Sequence, residues 1–98
     1  MSFAVRTVNY QHNRMLNICD AELVGRSFKK SDLTINISKS YFAERIVEEN
    51  EAKQLLKNAS IINMVGTKTI ALSVKMGIGT TKGVKEIDDV PFLLVFKF

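Results

Sequence analysis

Asn58-Ala59-Ser60-Ile61-Ile62-Asn63-Met64-Val65-Gly66 sets the centre of this chain, just past its middle. Its residues are apolar on nearly every side, apart from Asn63. A helix that is apolar all round is normally buried, so the segment is expected at the centre of the helical half. Asn63 is the one polar member. A buried amide must find partners, so its expected role is a structural bond tying the helix junction to a loop. The competing role is an exposed recognition amide.

Working outward, residues 48–59 read as a helix, and it is expected to run on through Val65 with Gly66 as its stop. Acids crowd its first turn and lysines its later turns, which suits the helix dipole. Ala52, Leu55, Leu56, Ala59 and Ile62 trace its apolar face. Thr67 is placed to cap a second helix over 68–76, with Ile70, Ala71 and Val74 facing in and Gly77 ending it. Residues 79–83 are a loop, 84–87 a short strand, Asp88-Asp89 a turn, and 92–98 a final strand.

Upstream, residues 3–10 and 15–19 read as an antiparallel hairpin joined by a polar loop over 11–14. Asp20 is placed to cap a single helical turn that Gly25 ends in the left-handed conformation. Residues 26–32 read as a basic loop carrying Phe28. Residues 33–38 alternate as a strand with Leu33, Ile35 and Ile37 on one side. Residues 39–47 fit a loop with a short extended piece. Strands, then two helices, then strands predict an α+β fold: a two-layer sandwich, mainly antiparallel, with two central helices packed on one face.

Ninety-eight residues leave room for one core, so residues 1–98 are expected to form a single domain. Hydrophobic residues are 46% and charged residues 24% of the chain, a balance that excludes a disordered polar chain. One cysteine, Cys19, excludes an internal disulfide. Residues 1–6 lack the pattern of a signal peptide. The longest apolar run, 90–96, is far short of the roughly 20 residues that span a membrane. A reduced, cytoplasmic protein without membrane contact is expected.

Net charge is +4, unevenly spread. Residues 44–51 hold Glu44, Glu48, Glu49 and Glu51 against Arg45. Residues 52–85 hold Lys53, Lys57, Lys68, Lys75, Lys82 and Lys85 and no acid. Such a one-sign stretch attracts polyanions.

Several blocks occur together in a fixed order. Ile18-Cys19-Asp20-x-Glu22-Leu23-x-Gly25-x-x-Phe28 leads to Asp32-Leu33 and Ser40-Tyr41-Phe42. Then come Ala59-x-Ile61-x-Asn63-x-Val65-Gly66 and Val90-Pro91. In this the chain resembles a small archaeal family known as domain of unknown function four hundred and twenty-four, over nearly its whole length. The resemblance implies an α/β two-layer domain in an archaeal cytoplasm, with genes near those for translation initiation and ribosome maturation. It makes Asp20, Gly25, Asn63, Gly66 and Pro91 the family's structural positions. The family pattern has Gly-Gly before its Val-Pro, then His and polar residues. Here Asp88-Asp89 precede Val90-Pro91, and Phe92-Leu93-Leu94 follow, so a role tied to that polar segment does not carry over.

No catalytic set assembles. His12 lies in a hairpin loop with no orienting carboxylate or nucleophile at a useful spacing. Cys19, at a strand end on a core face, reads as an inert buried thiol. One Cys and one His leave a zinc site short of ligands, and the four glutamates read as dipole complements. The 77–83 glycines lack the order of a phosphate loop. No enzyme activity, metal or cofactor is expected. Arg26, Lys29 and Lys30 beside Phe28 form one basic surface, and Lys53, Lys57, Lys68, Lys75, Lys82 and Lys85 a second. Lysines attract phosphate without reading bases, so no DNA sequence reading is expected. The expected partner is RNA or a ribosomal particle. The alternative is a protein-interaction module or homodimer using the apolar strand over 91–98.

Overall fold

The computed structural model describes residues 1–97. Strands β1 (Ser2–Tyr10) and β2 (Asn13–Asp20) form the expected hairpin, with Val5 opposite Ile18. Its turn is only Gln11-His12, with φ of 48° and 69°. Asn13 and Arg14 join the ladder instead of the predicted loop, because a two-residue turn of this hand matches the strand twist. A single 3-10 turn (Ala21–Leu23) follows. Strands β3 (Ser27–Lys30) and β4 (Leu33–Asn36) then make a separate small hairpin around Ser31-Asp32.

Next come α1 (Lys39–Phe42), β5 (Arg45–Glu48), α2 (Glu49–Asn58), β6 (Ile61–Val65) and α3 (Thr67–Lys75). A 3-10 turn at Thr81–Gly83 leads to β7 (Lys85–Ile87) and β8 (Val90–Phe96). The main sheet has the order β5-β1-β2-β6-β8-β7. Only β2 and β6 run parallel in it. The chain is therefore α+β with a large, antiparallel-dominated sheet. The last residue of the predicted 92–98 strand, Phe98, lies outside the described residues.

The central segment corrects the sequence reading. Residues 61–65 are a strand between β2 and β8, not the continuation of α2. The burial expectation holds: Ile62 and Met64 are wholly buried toward one face, and Val65 is 1% exposed on the other. Apart from Asn63 the strand is apolar on both faces, with Ile62 and Met64 on one and Ile61 and Val65 on the other, so its periodicity resembles that of a buried helix. Its five residues and its β-branched Ile-Ile and Val are the strand features.

One face packs Phe3, Leu16, Ile18, Ile62 and Met64 against Ala52 and Leu56 of α2 and Ile70 and Leu72 of α3. On α3 the buried side chains are Thr69, Ile70, Leu72 and Ser73, whereas Ala71 is exposed. The opposite face carries its own cluster, with Ala4, Cys19 and Val65 beneath Phe28, Ile37 and Phe42. The β3–β4 hairpin and α1 thus form a partial second cover that the helix-on-one-face expectation lacks. Residues 26–32 are accordingly not a loop. Phe28 is 2% exposed, its ring edge-on to Phe92 at 6.1 Å between centroids. Residues 39–47 hold a helical turn that Ser38 caps, its Oγ accepting from Tyr41 N at 3.2 Å. The extended piece expected there is β5. No described helix is long and apolar enough to cross a membrane.

Candidate functional site

The cover on the second face is incomplete. Strand parity and register place Arg6, Asn17, Asn63 and Leu94 in one row across β1, β2, β6 and β8, and Val8, Met15, Ile61 and Phe96 in the next. Leu94 and Phe96 are 55% and 58% exposed, and Tyr41 at the edge of the cover is 55% exposed. Isolated apolar side chains on a surface need no explanation, but a contiguous group on a sheet face marks an interaction surface.

Where covered and bare halves meet, a recess of about 290 Å³ opens. Ile35 and Asn36 of β4 and Tyr41 and Phe42 of α1 form its walls, over Asn63 and Phe92. A neighbouring recess of about 370 Å³ shares Ile35, Asn63 and Phe92 and reaches Lys85. No acidic side chain lines either one among the described residues.

Asn17 is the anomaly of this row. It is 2% exposed, and its Nδ2 donates to the Tyr41 carbonyl at 3.1 Å. Its Oδ1 has no partner among the described residues. An orphaned buried acceptor is costly and calls for an explanation. The Arg6 guanidinium lies 6.0 Å from the Tyr41 ring centroid, within cation–π reach. Asn63, predicted as a structural tie, is half-buried, and its amide makes no hydrogen bond among the described residues. The structure therefore removes the tie and leaves an amide facing the recess.

The other family positions make backbone and packing contacts. Asp20 does not cap its own 3-10 turn. Its carboxylate crosses to the start of α3, accepting from Lys68 N at 3.1 Å, Thr69 N at 2.7 Å and Thr69 Oγ1 at 2.8 Å. Thr67, the expected cap, is instead the first helical residue. Gly66 sits at φ 111°, and a Cβ there would meet the Asp20 carboxylate. Gly25, at φ 90°, has the positive φ expected of it but follows the 3-10 turn, whose C-terminal cap is Val24. The Pro91 carbonyl accepts from Gly66 N at 2.9 Å. Asp88-Asp89 turn with φ of 52° and 64°, a conformation that suits glycine. Asp88 Oδ2 also accepts from Lys29 N at 2.7 Å, tying this turn to β3.

The basic residues fall on both sides of the sheet. Lys53, Lys57, Lys68 and Lys75 lie on α2 and α3. Lys53 is paired with Glu49 at 3.4 Å and Lys68 with Glu22 at 2.9 Å. The Lys68–Glu22 hydrogen bond holds the Glu22 carboxyl below its ordinary range and raises Lys68. Arg26, Lys29 and Lys30 flank or lie on β3, on the half-covered side, and their side chains make no ion pair among the described residues. Lys82 and Lys85 sit at the β7 end of the sheet. The nine side chains are therefore not gathered on one element or one face.

His12 is exposed in its turn. Burial, then the charges of Asp20 and Glu22, pushes the Cys19 thiol up to about 12. No group of three or more His, Cys, Asp or Glu converges among the described residues. The 79–83 glycines serve packing: Gly79 lies so close to β8 that a Cβ would come within 2.9 Å of Val95 Cγ2. Sequence reasoning missed Asn17, Arg6 and Tyr41. The usable signal was an asparagine at 17 sharing strand parity with Met15 and Cys19.

Comparison with known proteins gives a family and a fold. The model of a family described as protein of unknown function (DUF424) matches residues 8–98. The crystal structure of an uncharacterized conserved protein from Methanopyrus kandleri superposes with a TM-score of 0.82 at 18% identity, covering 100% of this chain and 95% of that one. No curated protein matches.

Proposed function

The chain belongs to the DUF424 family of proteins of unknown function, and from there we propose that it is a non-enzymatic, translation-associated cytoplasmic factor that binds RNA or a ribosomal particle. The observation that supports this reading is the half-bare sheet face. It joins exposed Tyr10, Tyr41 and Phe96 rings to the Arg6 and Asn63 row and to the cations of β3. Sheets bind single-stranded RNA through such combinations of rings, amides and basic fringes. The helical lysines are a weaker base for it, since Glu49 and Glu22 answer two of the four. The two-layer description of the fold belongs to the same reading, with α2 and α3 as the supporting layer behind the sheet.

A second reading, a protein partner or a second copy, rests on the exposed Leu94 and Phe96 of β8. They adjoin Ile61 and Met15 on that face.

One experiment separates them. Cell extract is sedimented through a gradient at low and at high salt, and this protein is followed. The expected result is co-migration with a ribosomal particle that high salt abolishes. Migration as a homodimer or with a protein partner, unchanged by salt, would overturn the first reading in favour of the second.

A further inference from the structure

We infer that the recess at the tip of the β1–β2 hairpin is a phosphate-binding site. The inference deepens the RNA reading and rests on it for the source of the phosphate, the backbone of the bound strand. The recess, about 570 Å³, is lined by Asn9, His12, Arg14, Asn58 and Ser60. That volume is in the range of small-ligand sites and admits a phosphate with its sugar. Each of the five side chains can donate a hydrogen bond. None of them makes a side-chain hydrogen bond or ion pair among the described residues. No carboxylate lines the recess.

The fold builds this site from the two acid-free stretches of the chain, residues 1–19 and 52–85. Asn9 and Arg14 are cross-strand partners. They share the parity of Val5, Leu16 and Ile18, on the face that α2 and α3 cover. The helix α2 stops at Asn58, and Ser60 N, donating to the Arg14 carbonyl at 2.8 Å, ties that junction to β2. A helix C-terminus repels anions, but this one is already answered. Lys97 Nζ donates to the Leu56 and Lys57 carbonyls, and Ala59 N to the Leu55 carbonyl. Three of the last four carbonyls of α2 are thus taken, and the pole carries an ammonium. An arginine in a concave, acid-free site concentrates anions. Guanidinium, amide and hydroxyl donors are also the groups that hold phosphate oxygens. Tyr10, 57% exposed, has the opposite parity and stands on the half-bare side of the same hairpin end. A strand stacked on that ring brings its adjoining phosphate to the recess by rounding the tip.

The test titrates the full chain with single-stranded oligo-U by fluorescence anisotropy across a salt series. Arg14→Gln is expected to weaken binding about fivefold and to lower the salt slope by about 0.7, the share of one phosphate on a single strand. Asn58→Asp places a carboxylate in the recess and is expected to weaken binding about tenfold. Asn50→Asp makes the same charge change in the exposed first turn of α2 and is expected to leave binding within about twofold. Equal effects of N58D and N50D, or wild-type binding by R14Q, overturn the site and leave RNA binding standing. Failure of the wild type to bind oligo-U overturns the RNA reading, and inorganic phosphate then decides the site. The wild-type Asn9 and Asn58 side-chain amide resonances are expected to shift with phosphate and not with chloride at equal ionic strength. A shift without RNA binding assigns the site to free phosphate, and no shift overturns it. The same resonances decide should a variant not fold.

Discussion

Gly66 and Asp20 work as one device. The Gly66 backbone has a φ that L side chains rarely adopt, and a methyl there would come within 2.6 Å of both Asp20 oxygens. Gly66→Ala is expected to cost about 3 kcal/mol in urea unfolding, from strain and overpacking together. Asp20→Ala removes three hydrogen bonds from the start of α3 and is expected to cost about 2 kcal/mol. The double variant should lose less than the sum, because removing the carboxylate opens the space that the methyl needs. Strict additivity would show that the two do not interact. Cys19 gives the pH dependence at this scale. Its folded pKa is raised from 9.0 to about 12, so the folded state holds the proton longer. That contribution is full below about pH 9 and is lost as pH rises through the window to about 12. The expected measurement is a steeper fall of stability above pH 9 in the wild type than in Cys19→Ala.

At the scale of elements, both long helices are finished from a distance. Asp20 completes the N-terminus of α3 from β2. Lys97 completes the C-terminus of α2, its Nζ donating to the Leu56 carbonyl at 2.6 Å and the Lys57 carbonyl at 3.2 Å. Partial burial lowers the Lys97 pKa, yet an ammonium at a helix C-terminus is the favoured charge. Lys97→Met is expected to cost about 1 kcal/mol and to speed amide exchange in the last turn of α2 more than elsewhere. Uniform acceleration would point to global destabilisation instead. These caps also explain where sequence reading fails. Local spacing assigns Thr67 and Asp20 to the helical turns beside them, whereas Asp20 serves a helix 48 residues away. The β1–β2 hairpin and the β7–β8 turn are legible because their turns and alternation are local, whereas β3, which packs Phe28 against Phe92, reads locally as a loop. The helical turn of α1 is hidden by Tyr41 and Phe42, whose spacing fits neither period.

At the scale of the whole molecule, the sheet divides the charges. Changing Arg26, Lys29 and Lys30 together to Gln is expected to weaken RNA retention and flatten its salt dependence, by about one unit of slope for each phosphate no longer neutralised. Changing Lys53, Lys57, Lys68 and Lys75 to Gln is expected to do less, since two of them already face acids. The reverse order, measured by filter retention across a salt series, would return the interface to the helical layer.

The sequence by itself determined the mixed α+β class, the β1–β2 hairpin, the special turns at Gly25 and Asp88-Asp89, and the family. All of these follow from local propensity or from ordered motifs. Tertiary structure alone decided that Ile61–Val65 is a strand at the middle of the sheet. Apolar residues on both faces, Ile61 and Val65 as well as Ile62 and Met64, erase the alternation that identifies a strand. It also decided that Phe28 is covered and that Asn63 is not tied. Which side chains share a face, and which polar atoms go unpaired there, depends on strand order and register across residues far apart in the chain.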